Sequence, residues 1–280
     1  MPADFNGGGW LSEEEFIDLM QLLLDYSALE MSSALLTAIE IQNYELVERL
    51  LRSGANANVN TDDENDDFSD DQPYSMFPLE RAVVDGRIEI VHLIIANGAN
   101  ETEIARALQA AVNIDQVEAA EVLIGYGANI NTSPLSIVYS EDPHYMLPPR
   151  TALQAAAENR NIELVRLLLD SGAEVERLST SPNEEGTALQ FAAISGSIGV
   201  VSELIQRGAT VDAPPMGERG RSALEGAAEH GRLDMVQLLL NLKADVRGSR
   251  AVQFARREGH DGVVTLLLEN GLKDDDQMLA

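Results

Sequence analysis

The chain has 280 residues, of which 45% are hydrophobic and 5% aromatic, and its 19 basic and 47 acidic side chains give a formal net charge of −28. This charge disfavours nucleic acids and anionic membranes as partners, because both are bound through basic surfaces. The absence of cysteine excludes disulfides and thiolate zinc sites. The sequence has no secretory leader and no run of 18 uncharged apolar residues, so we expect an intracellular protein, cytoplasmic or nuclear.

Residues 1–30 predict a flexible lead followed by a capping helix. Ser12 and Glu15 have the spacing of a capping box, and Leu11 and Phe16 that of a hydrophobic staple. A polar helix of this kind is expected to cover the first member of a stack of repeats.

Residues 31–272 contain one pattern seven times. A small or apolar pair opens a helix, an alanine follows, and a second apolar segment ends at a glycine. The openings are Ser33-Ala34-Leu35, Phe77-Pro78-Leu79, Arg106-Ala107-Leu108, Thr151-Ala152-Leu153, Thr187-Ala188-Leu189, Ser222-Ala223-Leu224 and Arg250-Ala251-Val252. Positions below are counted from the first residue of each opening, so that +1 is the next residue.

The glycine position is +21 in all seven copies. It holds Gly54, Gly98, Gly127, Gly172, Gly208 and Gly271, with Lys243 in the sixth copy. A glycine here ends the second helix in a left-handed conformation, which favours residues without a side chain. Neither short helix can bury its apolar face alone, so the repeats must stack. The pattern predicts an all-α fold of stacked helix-turn-helix units.

These features resemble the ankyrin-repeat family. Its T-P-L-H-x-A opening resembles Thr151-Ala152-Leu153-Gln154-Ala155-Ala156, and its G-A-D-V-N ending resembles Gly127-Ala128-Asn129-Ile130-Asn131. The resemblance implies a solenoid with projecting hairpin loops. The family's histidine at +3 is absent from all seven copies. This absence calls into question the hydrogen bonds that the family forms between repeats at that point, but not the fold. The residues at +3 are Leu36, Glu80, Gln109, Gln154, Gln190, Glu225 and Gln253.

Uneven spacing of the openings, 44, 29, 45, 36, 35 and 28 residues, indicates insertions at 59–73 and 132–150. The first is interpreted either as an acidic finger for a basic peptide or as a self-repelling loop. Its acids are Asp62, Asp63, Glu64, Asp66, Asp67, Asp70 and Asp71. The second is apolar and is expected either to contact a partner or to cover the third and fourth repeats. Residues 273–280 are predicted to form an acidic tail.

The resemblance places a binding groove at the hairpin loops and at the ends of the first helices. A protein or peptide partner, basic or amphipathic, is therefore expected there, with aromatic and arginine side chains as anchors. The candidate contacts are Tyr74, Met76, Val84, Asp85, Ile114, Tyr145, Leu147, Arg150, Glu158, Ile194, Arg219, Arg221, Glu229 and His230. We expect a monomer that binds neither nucleic acid nor membrane.

An enzyme or small-molecule binder is the alternative. Its pocket would lie between the 132–150 loop and the groove, with His230 beside Glu229 as general base and Tyr or Arg side chains nearby. No nucleotide-loop, zinc-protease or hydrolase motif occurs in the sequence. We therefore expect no cofactor and no metal.

Overall fold

A computed structural model of the chain describes residues 28–58, 77–132, 150–178, 186–215, 220–247 and 249–272. The expected capping helix after Ser12, the 59–73 insertion, the interior of the 132–150 insertion and the acidic tail lie outside these residues. The chain divides into two compact units, residues 1–103 and 104–280, which are called the N-terminal and C-terminal units below.

Regular structure in the described ranges is helical. The helices of the N-terminal unit are α1 (Ala28–Glu40), α2 (Tyr44–Arg52), α3 (Pro78–Val84) and α4 (Ile88–Ala96), and α5 (Glu101–Asn113) contains the boundary between the units. The C-terminal unit continues with α6 (Val117–Gly125), α7 (Ala152–Glu158), α8 (Ile162–Asp170), α9 (Ala188–Ser195), α10 (Ile198–Gln206), α11 (Ala223–Glu229), α12 (Leu233–Asn241), α13 (Ala251–Arg257) and α14 (Asp261–Glu269).

Each repeat supplies a first helix and a second helix. The two pack together as a hairpin in the first, second and fourth to seventh repeats. In the C-terminal unit the first helices α7, α9, α11 and α13 stack on one another, and the second helices α8, α10, α12 and α14 stack in a parallel row. Within the N-terminal unit α1 packs on α3 and α2 on α4 in the same way. The all-α stack predicted from the sequence is confirmed.

The core is built from small and branched residues at fixed repeat positions. Position +5 is a fully buried alanine in every repeat: Ala38, Ala82, Ala111, Ala156, Ala192, Ala227 and Ala255. Position +17 in the second helix is a Leu or Ile no more than 1% exposed: Leu50, Ile94, Leu123, Leu168, Leu204, Leu239 and Leu267. Alanine at +5 allows close approach of helices, which explains how a chain with few aromatics forms a dense core.

Three openings, Thr151, Thr187 and Ser222, begin their helices through a capping box. In the fourth repeat Gln154 N donates to Thr151 Oγ1 at 3.3 Å, and Thr151 N donates to Gln154 Oε1 at 2.9 Å. The same reciprocal pair joins Thr187 with Gln190. Two backbone donors at each helix start are satisfied in this way.

Helix starts predicted near Ser33 and Arg106 differ from the structure, because α1 and α5 begin five residues earlier. For α5 the reason is an upstream cap, since Asn100 Oδ1 accepts from Glu103 N at 2.9 Å. Arg106 offers no short polar side chain for capping. The helix therefore starts at the asparagine.

Two positions in every repeat are left-handed. Position +21 has φ between +84° and +102° at its six glycines and +63° at Lys243, which confirms the register predicted from the sequence. Position +9, in the turn between the two helices, is also left-handed in all seven repeats. It holds Gln42, Gly86, Asp115, Arg160, Gly196, Gly231 and Gly259.

At position +3, where the family has histidine, glutamine side chains form hydrogen bonds to the loop that leads to the next repeat. Gln154 Nε2 donates to the carbonyls of Arg177 and Gly186, at 2.7 and 2.9 Å, in the loop that leads to the next repeat. Gln190 does the same with Ala213 and Pro214. The bonds between repeats at this position are therefore kept with a different donor.

The asparagine of the G-A-x-x-N ending also joins repeats. In the C-terminal unit Asn131 Nδ2 donates to Gly172 O at 3.1 Å, and Asn131 Oδ1 accepts from Glu174 N at 2.9 Å. Asn58 makes the equivalent pair with Gly98 and Asn100 in the N-terminal unit. Backbone groups at the left-handed turn are satisfied by the preceding repeat.

Candidate functional site

Nine of the predicted contact residues are described by the structure. Val84 and Asp85 belong to the N-terminal unit, and Ile114, Arg150, Glu158, Ile194, Arg221, Glu229 and His230 belong to the C-terminal unit. The remaining predicted contacts, Tyr74, Met76, Tyr145, Leu147, Arg219 and the seven acids from Asp62 to Asp71, lie outside the described residues.

In the N-terminal unit, Val84 and Asp85 lie at the end of α3. Arg81 Nε donates to Asp85 Oδ2 at 3.0 Å, and Arg81 Nη1 lies 3.4 Å from Glu40 Oε1 of the preceding repeat. Asp85 is therefore paired with Arg81 of its own repeat, and Arg81 links this repeat to the one before.

In the C-terminal unit, positions +7 and +8 lie at the carboxyl ends of the first helices. Carbonyls at such ends have no partner within the helix. Side chains from the next repeat supply it: Asn159 Nδ2 donates to Val112 O and Asn113 O at 3.2 Å, and Ser195 Oγ donates to Glu158 O at 2.8 Å. The edge of the stack is thus fixed by side-chain bonds from one repeat to the next.

Hydrophobic residues on this edge differ in their exposure. Ile114 is 37% exposed. Ile194 packs on α11, where a Cβ built on Gly226 would lie 2.5 Å from Ile194 Cγ1. Gly226 is therefore required by the packing of its neighbour, and Ile114 is the more accessible of the two isoleucines.

Arg150 and Glu158 form an ion pair across the fourth repeat, and the Arg150 guanidinium lies 4.1 Å from the ring centroid of Phe191 in the next repeat. The sequence placed both charged residues in the groove but did not associate them with each other or with Phe191. Arginine stacked on an aromatic face is held in a defined orientation.

The same arrangement recurs two repeats later. Arg221 donates to both oxygens of Glu229, with Nε–Oε2 at 2.7 Å and Nη2–Oε1 at 3.1 Å, and its guanidinium lies 4.1 Å from the Phe254 centroid. Two further arginines contact this ring, Arg250 at 5.0 Å and Arg257 at 5.3 Å. These four residues, Phe254 with Arg221, Arg250 and Arg257, are called the Phe254 cluster below.

Two carboxylates hold the arginines of the cluster. Glu225 accepts from Arg250 N at 2.9 Å and from Arg250 Nε at 3.3 Å, and its side chain is only 5% exposed. Glu229 accepts from Arg257 Nη2 in addition to Arg221. At position +3 of this repeat, Glu225 cannot donate as a glutamine does, so Arg250 of the next repeat provides the donors.

Glu229 is a poor general base in this setting. Burial by itself raises the pKa of its carboxyl, but hydrogen bonds and charges of Arg221 and Arg257 outweigh burial, so the pKa lies below its ordinary value. Both oxygens are occupied by guanidinium donors. The geometry therefore does not favour the alternative in which Glu229 and His230 form a catalytic pair.

The nearby histidines make structural contacts. His230 Nδ1 lies 3.1 Å from Gly226 O in its own helix, and His260 Nε2 lies 3.1 Å from Glu229 O in the preceding repeat. The described parts of the chain contain no group of three or more His, Asp or Glu side chains suited to a metal ion. They also contain no helix long and apolar enough to cross a membrane.

Family models establish what this stack of repeats is. A model of ankyrin repeats in three copies matches residues 35–134 and 108–215, and a model of a single ankyrin repeat matches residues 219–250. Together these matches cover well over half of the chain. The chain belongs to the ankyrin-repeat family. The fold predicted from the repeat pattern is thereby confirmed.

Individual ankyrin-repeat proteins are similar over part of their length. The chain is 31% identical over 204 residues to the B-cell lymphoma 3 protein homolog of Mus musculus, covering 69% of this chain and 44% of that protein. It is 30% identical over 165 residues to the Ankyrin repeat and KH domain-containing protein mask-1 of Caenorhabditis elegans, covering 58% of this chain and 6% of that protein. The chain thus spans less than half the length of either relative.

A solved ankyrin-repeat structure has the same fold. The crystal structure of the human ASB11 ankyrin repeat domain superposes with a TM-score of 0.56 at 24% identity, covering 71% of this chain and 85% of that one. At this identity the likeness concerns the fold alone. Ankyrin repeats are protein-interaction modules, and this chain carries the same architecture.

Sequence reasoning missed three kinds of residue at this edge. It did not single out Phe191 and Phe254, the left-handed +9 turn positions, or the arginine at 250. A signal was present for the first group, because an Arg just before an opening and a Glu at +7 occur together in the fourth and sixth repeats, each followed by a Phe at +4 of the next repeat.

Proposed function

We propose that the chain is a non-catalytic interaction module that binds a protein or peptide partner, basic or amphipathic in character. In the C-terminal unit the contact surface is the edge formed by positions +7 and +8 of successive first helices. The observation that carries the proposal is that the backbone of this edge is already satisfied by bonds between repeats, while side chains such as Ile114 remain accessible.

A surface of this kind suits peptide recognition. Its backbone carbonyls are already hydrogen-bonded between repeats, so little conformational entropy is lost from this surface when a partner binds. It offers isolated apolar residues between charges, a composition typical of interfaces with few anchor residues. The insertions at 59–73 and 132–150, with Tyr74, Met76, Tyr145 and Leu147, are proposed as additional contacts, as are Val84 and Asp85 on the N-terminal unit. Binding as a monomer, without nucleic acid or membrane, remains part of the proposal.

Ile114 provides the test, because the chain offers a matched control. Ile198 lies at the start of the second helix α10 and is 43% exposed, close to the 37% of Ile114. Proteins captured from lysate by the full chain are quantified for wild type, Ile114→Asp and Ile198→Asp. We expect Ile114→Asp to reduce capture of the main partner at least about tenfold, since a charge would be buried in the interface. We expect the control to reduce it less than about twofold.

The salt dependence identifies the kind of contact. Capture that weakens strongly between 0.15 and 0.5 M salt implicates charged residues, and capture that persists implicates apolar ones. Equal capture by wild type and Ile114→Asp would contradict the proposed surface.

A further inference from the structure

The last two repeats differ in charge from the rest of the chain. Residues 220–272 contain seven basic and seven acidic side chains, whereas the whole chain contains 19 and 47. The two charges are also distributed unequally between surface and interior. Glu225 and Glu229 are 5% and 16% exposed in their side chains, whereas Arg250 and Arg257 are 43% and 57% exposed. Glu225 and Glu229 are thus less exposed than the arginines that they bind, and the accessible charged groups of the Phe254 cluster are guanidiniums.

The cluster leaves defined donors available. Arg250 uses Nε and Nη2 on Glu225 and Gly220 O, and Arg257 uses Nε on Glu258 and Nη2 on Glu229. Within the described ranges no hydrogen bond engages Nη1 of either arginine. Each Nη1 carries two N–H groups, so the pair offers four donors.

These donors are fixed in place before any ligand arrives. Phe254, which is 8% exposed, supports both guanidiniums by ring contact. Carboxylates hold their other edges: the buried Glu225 binds Arg250, and the half-buried Glu229 and the exposed Glu258 bind Arg257. Long arginine side chains normally lose much rotamer freedom on binding, and here most of that loss has occurred on folding. Such pre-organised, planar donors match carboxylate oxygens closely.

We propose that the Phe254 cluster binds acidic side chains, Asp or Glu, in an extended segment of the partner. This inference rests on the proposed function in its amphipathic form: the partner's segment that meets the sixth and seventh repeats carries carboxylates. A polyanion such as a nucleic acid offers similar oxygens, but the net charge of −28 repels a chain that has one charge at every nucleotide. A peptide with two or three carboxylates meets less of that repulsion.

Selection from a displayed library of random twelve-residue peptides tests the proposal with the full chain. Wild type, Arg257→Gln and the double variant Arg250→Gln/Arg257→Gln are used as baits. Arg49→Gln/Arg52→Gln on α2 serves as the control, because it removes two charges from ion pairs within one helix. Arg257→Gln guards against misfolding, since Glu229 keeps Arg221 as its partner.

We expect wild type and the α2 control to enrich peptides that contain Asp or Glu, and the double variant to lose that enrichment. For a synthetic copy of one enriched peptide, Kd is expected to rise about fivefold in Arg257→Gln and more than about tenfold in the double variant. Arg250→Lys/Arg257→Lys, which keeps the charge without the planar donors, should recover only part of the affinity.

Peptides enriched equally in acids by the wild type and the double variant would overturn this inference and leave the proposed function standing. Failure of every bait to enrich any peptide would overturn both. Displacement of the acidic peptide by an unlabelled twelve-residue oligothymidylate at equal or lower concentration would assign the cluster to nucleic acid instead.

Discussion

Replacing Lys243 by glycine is expected to stabilise the chain. Lys243 occupies position +21 of the sixth repeat with φ +63°, where the other six repeats have glycine. A left-handed conformation costs a residue with a side chain about 1–2 kcal/mol. Glycine makes the unfolded chain more flexible, so its loss of conformational entropy on folding costs about 0.5–1 kcal/mol more than that of such a residue. The difference, about 0.5–1 kcal/mol, favours glycine.

Urea unfolding followed by circular dichroism measures this difference. With a slope of about 2–3 kcal/mol/M, the midpoint should rise by about 0.2–0.5 M at an unchanged slope. Lys243→Ala is the matched control, because it removes the same positive charge but keeps the Cβ. The difference between the two variants therefore isolates the backbone conformation. A midpoint for Lys243→Gly no higher than that of Lys243→Ala would refute the strain argument.

Four further substitutions test other contacts. Arg160→Gly, at a left-handed +9 position with φ +62°, should stabilise by up to about 1 kcal/mol in the same assay. Gly226→Ala should destabilise by about 1–3 kcal/mol, because its Cβ would overlap Ile194. Gln154→Leu should cost about 2–4 kcal/mol, since it removes the donor to two loop carbonyls. Glu229→Gln should flatten the pH dependence of stability below pH 5. The pKa of Glu229 is lower in the folded than in the unfolded chain, so its ion pairs stabilise the fold at pH values above the unfolded pKa. This stabilisation is lost as the pH falls through the folded-state pKa.

Each of these has a control. Arg160→Ala should not raise the stability of the chain. Equal urea midpoints for Arg160→Ala and Arg160→Gly would contradict the conformational argument. Gly226→Ala combined with Ile194→Ala should recover stability, and no recovery would exclude their overlap as the cause. Gln154→Glu keeps the acceptor and removes the donor, so it should be nearly as destabilising as leucine. If Glu229→Gln and wild type lose stability in parallel between pH 5 and pH 3, the ion pairs of Glu229 do not carry the effect.

The fold was predictable because its determinants are local and repeat. A constant spacing of 21 residues from the opening to the left-handed turn, with apolar residues at fixed positions, specifies a helical hairpin wherever it occurs. Lys243 illustrates the strength of this signal, since its φ follows the repeat and not the residue type. The early start of α5 escaped prediction because a single upstream cap, Asn100, overrides the repeat pattern.

The candidate site was predictable in position but not in its contacts. Placement of Glu158 and Glu229 at +7 follows from counting along the sequence. Their pairing with arginines, and the stacking of those arginines on Phe191 and Phe254, depends on residues in adjacent repeats that approach only after stacking. Sequence spacing within one repeat holds no information on such cross-repeat distances. For the same reason the glutamine bonds at +3 could not be foreseen.

The two left-handed turns in each repeat restrict where the chain can change length. A residue inserted or deleted between +9 and +21 would rotate the side chains that follow it by about 100° around the axis of the second helix. The distance between successive openings varies from 28 to 45 residues, and all of this variation falls between the end of one repeat and the opening of the next. These connections are therefore the places at which new recognition loops can arise, or be grafted, without disturbing the core.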